Sequence, residues 1–164
     1  MTYEFFYNRI KRMKKEKSCG AIIYRIKNKK LEFLILKMQL GHYSNCKGHM
    51  EKGETESATA LREIKEETNL EVELDTSFSH KITYSPAEGV IKDVIFFVAT
   101  PISGTLKVQE AEVSEALWLT YDKAYRILTY DQDKRTLSLA YRYLLTKLGG
   151  KSDGSKEESD IVKE

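Results

Sequence analysis

Three glutamates, Glu63, Glu66 and Glu67, sit close together in the stretch from Gly48 to Leu70. Laid on a helix over residues 55–68 at roughly 100° per residue, they share one arc roughly 100° wide. Ala60, Leu61, Ile64 and Thr68 form a second, mainly apolar arc about 120° away. One side of such a helix packs on a sheet while the adjacent side concentrates negative charge. Two carboxylates about 6 Å apart repel by roughly 3 kcal/mol at an effective dielectric of about 20. A hard divalent cation removes that cost. Mg²⁺ takes carboxylate oxygens, keeps several waters and shares its remaining positions with substrate phosphates. By themselves, the same three residues equally describe a solvated acidic helix face.

The elements that must position these residues follow from the pattern on either side. Residues 19–26 are a compact β-branched run and read as a strand. Asn28, Lys29 and Lys30 turn the chain, and residues 31–38 make a second strand, apolar enough to be central. A loop over residues 39–46 leads to the acidic stretch. After the helix, residues 71–74 and 78–84 read as two separate strands, and residues 93–100 as the most apolar strand, in the middle of the sheet. Residues 101–104 break the chain. Glu110, Glu112 and Glu115 cluster before a short strand at residues 116–119, which carries Trp118. Residues 121–128 read as a short helix. Asp131 is expected to cap the last helix, whose stripe runs Leu137, Ala140, Tyr141, Leu144, Leu145 and Leu148. Strands interrupted by one middle and one final helix predict an α/β fold with a mixed sheet between helices.

A chain of 164 residues with net charge +2 is one ordinary domain whose composition does not demand nucleic acid. Its apolar runs are strand-sized, which predicts no transmembrane helix. No signal peptide is read. Cys19 and Cys46 make neither a disulfide framework nor a zinc site, so both are read as reduced and the protein as cytoplasmic. His42, His49 and His80 have no metal-ligand spacing among themselves. Residues 1–16 are set apart as a basic extension, either a short docking helix or an arm. Residues 17–150 form the domain, and residues 151–164 a polar tail expected to be disordered.

Residues 48–70 resemble the signature box of the Nudix hydrolases. Gly48, Glu54, Arg62, Glu63, Ile64, Glu66, Glu67 and Leu70 fill its fixed positions. Asn69 stands where the last glycine is usual, and Asn is the next best residue in a left-handed turn. The run from Lys47 to Glu54 resembles the corresponding segment of the asymmetrical diadenosine tetraphosphate hydrolases. Tyr43 fits their upstream aromatic position, while Asn45 and Cys46 replace prolines common there. Tyr84 and Tyr130 stand where that group stacks two rings on an adenine.

The resemblance implies a Nudix α/β/α sandwich that hydrolyses diadenosine tetraphosphate to ATP and AMP with Mg²⁺, Mn²⁺ being possible. It implies Glu63, Glu66, Glu67 and Glu112 as metal ligands, with Glu67 and Glu112 rival general bases and Glu110 or Glu115 as alternatives to Glu112. Arg62 and Glu54 correspond to an ion pair that holds the loop on the helix. Lys47, His42 and Lys81 would face phosphate, and His49 would be a hydrogen-bonding loop residue. Alone, each of these polar residues, Arg25 included, also reads as ordinary surface, and Tyr84 and Tyr130 are two of ten tyrosines. The expected partner is a small dinucleoside polyphosphate, with no membrane, an RNA partner suggested only by the basic N-terminus, and a monomeric chain. The other readings are a pyrophosphohydrolase acting on RNA 5′ ends or another nucleoside diphosphate derivative, and a non-catalytic nucleotide sensor. The sensor is disfavoured because this chain keeps every glutamate of the box.

Overall fold

A computed structural model describes residues 2–149. In chain order the elements are α1 (Tyr3–Lys11), β1 (Lys14–Lys27), β2 (Lys30–Met38), β3 (Tyr43–Ser44), β4 (Cys46–His49), α2 (Glu56–Thr68), β5 (Glu71–Tyr84), β6 (Val90–Ser103), β7 (Val113–Thr120), α3 (Tyr121–Ile127) and α4 (Asp131–Gly149). The seven strands share one sheet in the order β3-β2-β1-β6-β5, with β4 also on β1 and β7 also on β2. β1 and β6 pair in parallel and their other neighbours are antiparallel, so the sheet is mixed as expected.

Alternation along β1 makes two cores. Cys19, Ala21 and Ile23 face α2, where Ala60 and Ile64 meet Ile95 and Phe97. Ile22 and Tyr24 face α3 and α4, where Leu137, Ala140 and Leu144 cover Val94, Phe96 and Val98. Both cysteines are free and buried. Asn28 and Lys29 both adopt positive φ, the two-residue turn whose twist suits a hairpin.

Several expectations are corrected. β1 begins at Lys14, inside the segment set apart as an extension, because Lys14 to Lys17 pair in parallel with Val90 to Asp93. Residues 71–84 form one strand, whose register shifts between Asp75 and His80. β6 runs through Pro101 to Ser103, where Val72 pairs with Pro101 and Glu71 with Ser103. Leu61 is 41% exposed and belongs to solvent, not to the apolar arc. Asp131 opens α4 rather than capping it, and the Tyr130 carbonyl accepts from the Lys134 N–H at 3.1 Å. The first residues do form a helix, but α1 buries none of its side chains. The expected tail at 151–164 lies outside the described residues.

Candidate functional site

The site begins where β4 crosses β1. Gly20 has no side chain because a Cβ there would strike the Cys46 carbonyl. Gly48 is equally constrained, since a Cβ would overlap the Glu63 carboxylate. These two close approaches press β4 against β1 on one side and α2 on the other.

α2 starts at Thr55, whose hydroxyl accepts from the Ala58 N–H at 3.1 Å. It stops at Asn69, in the left-handed region at φ 63°. Its N–H bonds the Lys65 carbonyl at 2.9 Å, so Asn does glycine's work here.

Arg62 organises the loop before the helix. Its Nε and Nη2 donate to the two Glu54 oxygens at 2.8 Å each, a bidentate pair. Nη2 also reaches the His49 carbonyl at 2.8 Å. Nη1 donates to Glu63 Oε1 at 2.9 Å and Glu66 Oε2 at 3.2 Å. Glu54 is held at about 2 by the Arg62 hydrogen bonds and by the Glu51 N–H. Arg62 is raised by the same carboxylates, Glu54 first.

The three box carboxylates differ in environment. Glu66 is exposed, but Glu63 and Glu67 are buried, the latter to 3% exposure. The alternative reading of a solvated acidic face therefore describes Glu66 alone. Burial raises Glu63, against the pull of Arg62. Burial also pushes Glu67 up to about 7, opposed by the Cys46 thiol and Lys47 and reinforced by the charges of Glu63 and Glu112. The Cys46 Sγ donates to Glu67 Oε2 at 2.9 Å. Glu112 is exposed in the loop before β7, and its charge reaches Glu63, Glu67 and His49. Glu110 and Glu115 serve elsewhere: the Glu110 carbonyl takes the Gln39 amide at 2.6 Å, and Glu115 pairs with Lys37.

Every donor in this set is a carboxylate oxygen, the ligand that Mg²⁺ and Mn²⁺ take. Burial and mutual repulsion raise Glu63 and Glu67, a cost that a divalent cation would offset. Among the described residues, no three His, Cys, Asp or Glu side chains converge tightly enough to hold a metal ion, and Arg62 grips Glu63 and Glu66 instead. The chemistry of the donors, all carboxylate oxygens, suits a cation that keeps part of its water shell and takes phosphate contacts.

A cationic row lies beside the carboxylates. Lys47 is half-buried on β4, and its charge is felt by Glu67, His42, His49 and Asp133. Lys92 is only 8% exposed, opposite Glu16 on one side and Tyr84 on the other. Burial lowers its pKa and Lys47 lowers it further. Sequence reasoning missed Lys92. The available signal was parity: it shares the inward phase of Val94 and Phe96 along β6.

Tyr84 is half-buried and Tyr130 is exposed, and the two hydroxyls are near enough to influence each other. His42 lies with its ring 5.7 Å from that of Tyr130. Reciprocal bonds fix that corner, the Tyr43 N–H to Thr129 Oγ1 at 2.8 Å and the Thr129 N–H to the Tyr43 carbonyl at 3.2 Å. Asp133 is buried beside them and pushed up to about 6, chiefly by burial.

Lys81 is not brought to this cluster. It pairs with Ile95, so it is on the sheet face opposite to Tyr84 and Lys92. His80 bonds Thr136 Oγ1 at 3.0 Å and ties β5 to α4. Arg25 pairs with Glu32 at 2.8 Å and covers the Trp118 ring.

Known proteins resemble this chain in sequence and fold. The NUDIX domain model matches residues 15–141. The asymmetrical bis(5′-nucleosyl)-tetraphosphatase of Rattus norvegicus is 30% identical over 140 residues, covering 78% of this chain and 95% of that protein. A crystal structure of a C. elegans Ap4A hydrolase binary complex superposes with a TM-score of 0.73 at 27% identity, covering 80% of this chain and 98% of that one. The NUDIX domain of Shewanella oneidensis NrtR, 16% identical with a TM-score of 0.67, shares the fold; it covers 88% of this chain and 99% of that one.

Proposed function

The chain belongs to the NUDIX family of hydrolases, and from that premise we propose that it cleaves dinucleoside polyphosphates, diadenosine tetraphosphate to ATP and AMP foremost. The observation that carries this reading is one juxtaposition. The Lys47 charge reaches buried Glu67 on one side and Lys92 on the other, and Lys92 is the direct partner of Tyr84 on the neighbouring strand. Acidic, cationic and aromatic groups thus follow one another as metal, phosphate and base would along such a substrate. The rat and nematode relatives carry the same activity in their names.

Glu63, Glu66, Glu67 and Glu112 would hold Mg²⁺ or Mn²⁺. A bound cation supplies neutralisation of phosphate charge and a lowered pKa for an attacking water. Glu67 or Glu112 accepts the water proton as the new P–O bond forms. The bridging P–O bond breaks, and the anhydride oxygen leaves with the other nucleotide. Lys47 and Lys92 oppose the negative charge that gathers on that oxygen. Tyr84 and Tyr130 hold a base, contributing about 1–3 kcal/mol with little choice between bases. His42 keeps Tyr130 company, and burial first and the Lys47 charge second lower its pKa. Lys81, on the sheet face of Ile95 and away from Tyr84 and Lys92, is given no role beside them.

Chromatographic product analysis tests the reading. Diadenosine tetraphosphate, triphosphorylated RNA and ADP-ribose are each incubated with Mg²⁺. Equal amounts of ATP and AMP from the dinucleotide are expected. Cleavage of RNA or ADP-ribose with an intact dinucleotide would replace it with another pyrophosphohydrolase activity, and binding without cleavage would make it a sensor.

A further inference from the structure

Among the described helices, α1 alone buries no residue. Tyr3, Phe5, Phe6, Tyr7 and Ile10 are each at least 50% exposed, a high cost for a segment packed against nothing. With Tyr3 as origin at roughly 100° per residue, Phe6, Tyr7 and Ile10 fall within roughly 60° of it, and Phe5 alone stands on the far side. The remaining positions, Glu4, Asn8, Arg9 and Lys11, are polar, and Arg12 follows the helix. Lys14 and Lys17 are paired with Glu16 and Glu56. Arg9, Lys11, Arg12 and Lys15 form no ion pair among the described residues. Glu4 is the only acid before Glu16.

We propose that α1 docks on an anionic lipid surface, with Tyr3, Phe6, Tyr7 and Ile10 at the headgroup–acyl boundary and the four free cations against lipid phosphates. No helix among the described residues is long and apolar enough to cross a membrane, so the contact is peripheral. It departs from the expectation of no membrane partner.

Other occupants fit less well. A nucleic-acid base stacks on a free ring face. Tyr3 and Tyr7 turn their faces to each other, 6.4 Å apart and 13° from parallel. The Lys11 ammonium is set over the Tyr7 ring at 4.9 Å. A second copy would bring the same cations together. A helix of nine residues is also too short to bury the roughly 1,200 Å² that a stable interface needs. The Lys14 N–H bonds the Gly89 carbonyl at 2.8 Å, so α1 leaves the domain at the sheet end that carries Lys92 and Tyr84. Docking holds that end of the sheet near the bilayer.

Vesicle co-sedimentation of the full chain tests the proposal, independently of which substrate is cleaved. Vesicles of phosphatidylcholine and phosphatidylglycerol in equal parts should retain the chain, and pure phosphatidylcholine should bind at least roughly tenfold more weakly. Phe6→Ser with Ile10→Ser should abolish retention. Lys11→Glu with Arg12→Glu should weaken it at least roughly tenfold. Both variants should keep the wild-type melting temperature, because nothing in α1 is buried. Equal retention on both vesicles, or none on either, overturns the proposal. So does binding of oligouridylate in place of vesicles, or a dimer that the Phe6 and Ile10 variant makes monomeric.

Discussion

The Cys46 thiol donates a hydrogen bond of 2.9 Å to Glu67 Oε2, joining the β4 crossing to the most buried carboxylate of the box helix. Neither group has water as an alternative, since Cys46 is 1% and Glu67 3% exposed. A buried carboxylate that loses a donor bears its full desolvation cost. Cys46→Ala should lower the melting temperature of the metal-free protein and weaken Mn²⁺ binding roughly 10- to 100-fold, as loss of a partner to a ligand does. Cys46→Ser, which restores a donor, should recover most of both. Calorimetric titration of the three proteins with Mn²⁺ decides it; unchanged affinity in the alanine variant would make the bond incidental.

Glu67 also sets a pH dependence. Its folded value of about 7 lies above the ordinary 4.5. Below the ordinary value both folded and unfolded chains hold the proton, and the carboxyl costs nothing. As pH rises the unfolded chain ionises first, so the cost grows and is complete above about 7. The displacement corresponds to on the order of 3 kcal/mol. In excess chelator, Glu67→Gln should therefore melt higher than wild type at pH 8 and equally at pH 4. Denaturation at the two pH values measures the difference. A variant no more stable at pH 8 would mean that local rearrangement relieves the charge.

That same substitution should cost activity. Hydrolysis should disappear in chelator and return with Mg²⁺ or Mn²⁺. Glu66→Gln or Glu67→Gln should reduce turnover by at least about two orders of magnitude, the scale of lost charge preorganisation. Steady-state rates with restored metal provide the check, and persistent activity in excess chelator would remove the cation from the mechanism.

Lys92 is a buried cation next to Lys47, and its lowered pKa marks a charge held against its solvation preference. At neutral pH the unfolded chain keeps that charge at no cost while the folded chain bears it. Lys92→Met should thus raise the melting temperature at pH 7, the gain fading at alkaline pH. It should also raise KM for a polyphosphate substrate roughly tenfold, as loss of a charge-assisted contact does. A variant that is both less stable and equally active would show Lys92 to be a packing residue.

The tyrosines separate base from phosphate. Tyr84→Ala or Tyr130→Ala should raise KM for diadenosine tetraphosphate roughly 5- to 150-fold, with a smaller loss of turnover. Phenylalanine or tryptophan at either position should preserve most affinity, since the ring face remains. Inorganic polyphosphate, lacking a base, is the control. Equal losses on both substrates would mark these rings as structural.

What the sequence determined by itself was local. α2 was legible over residues 55–68, because a 3.6-residue period is a property of nearby residues; that Thr55 is its cap came from the structure. The turn at Asn28 and Lys29 belongs to the same class, whereas the pairing of Arg62 with Glu54 was implied by the family resemblance. Tertiary structure decided what depends on pairing between distant segments. The parallel register of β1 on β6 sets Glu16 beside Lys92, and the antiparallel register of β5 sets Tyr84 there while turning Lys81 away. A shift of one residue would invert each of those faces. Burial was decided there as well. Glu63 and Glu67 share an arc with Glu66, but β4 covers them and leaves Glu66 in water. The reason is physical: a wheel records direction around one helix, whereas desolvation depends on which other element arrives. That arrival turns the Cys46 thiol from a small apolar side chain into the donor that faces Glu67.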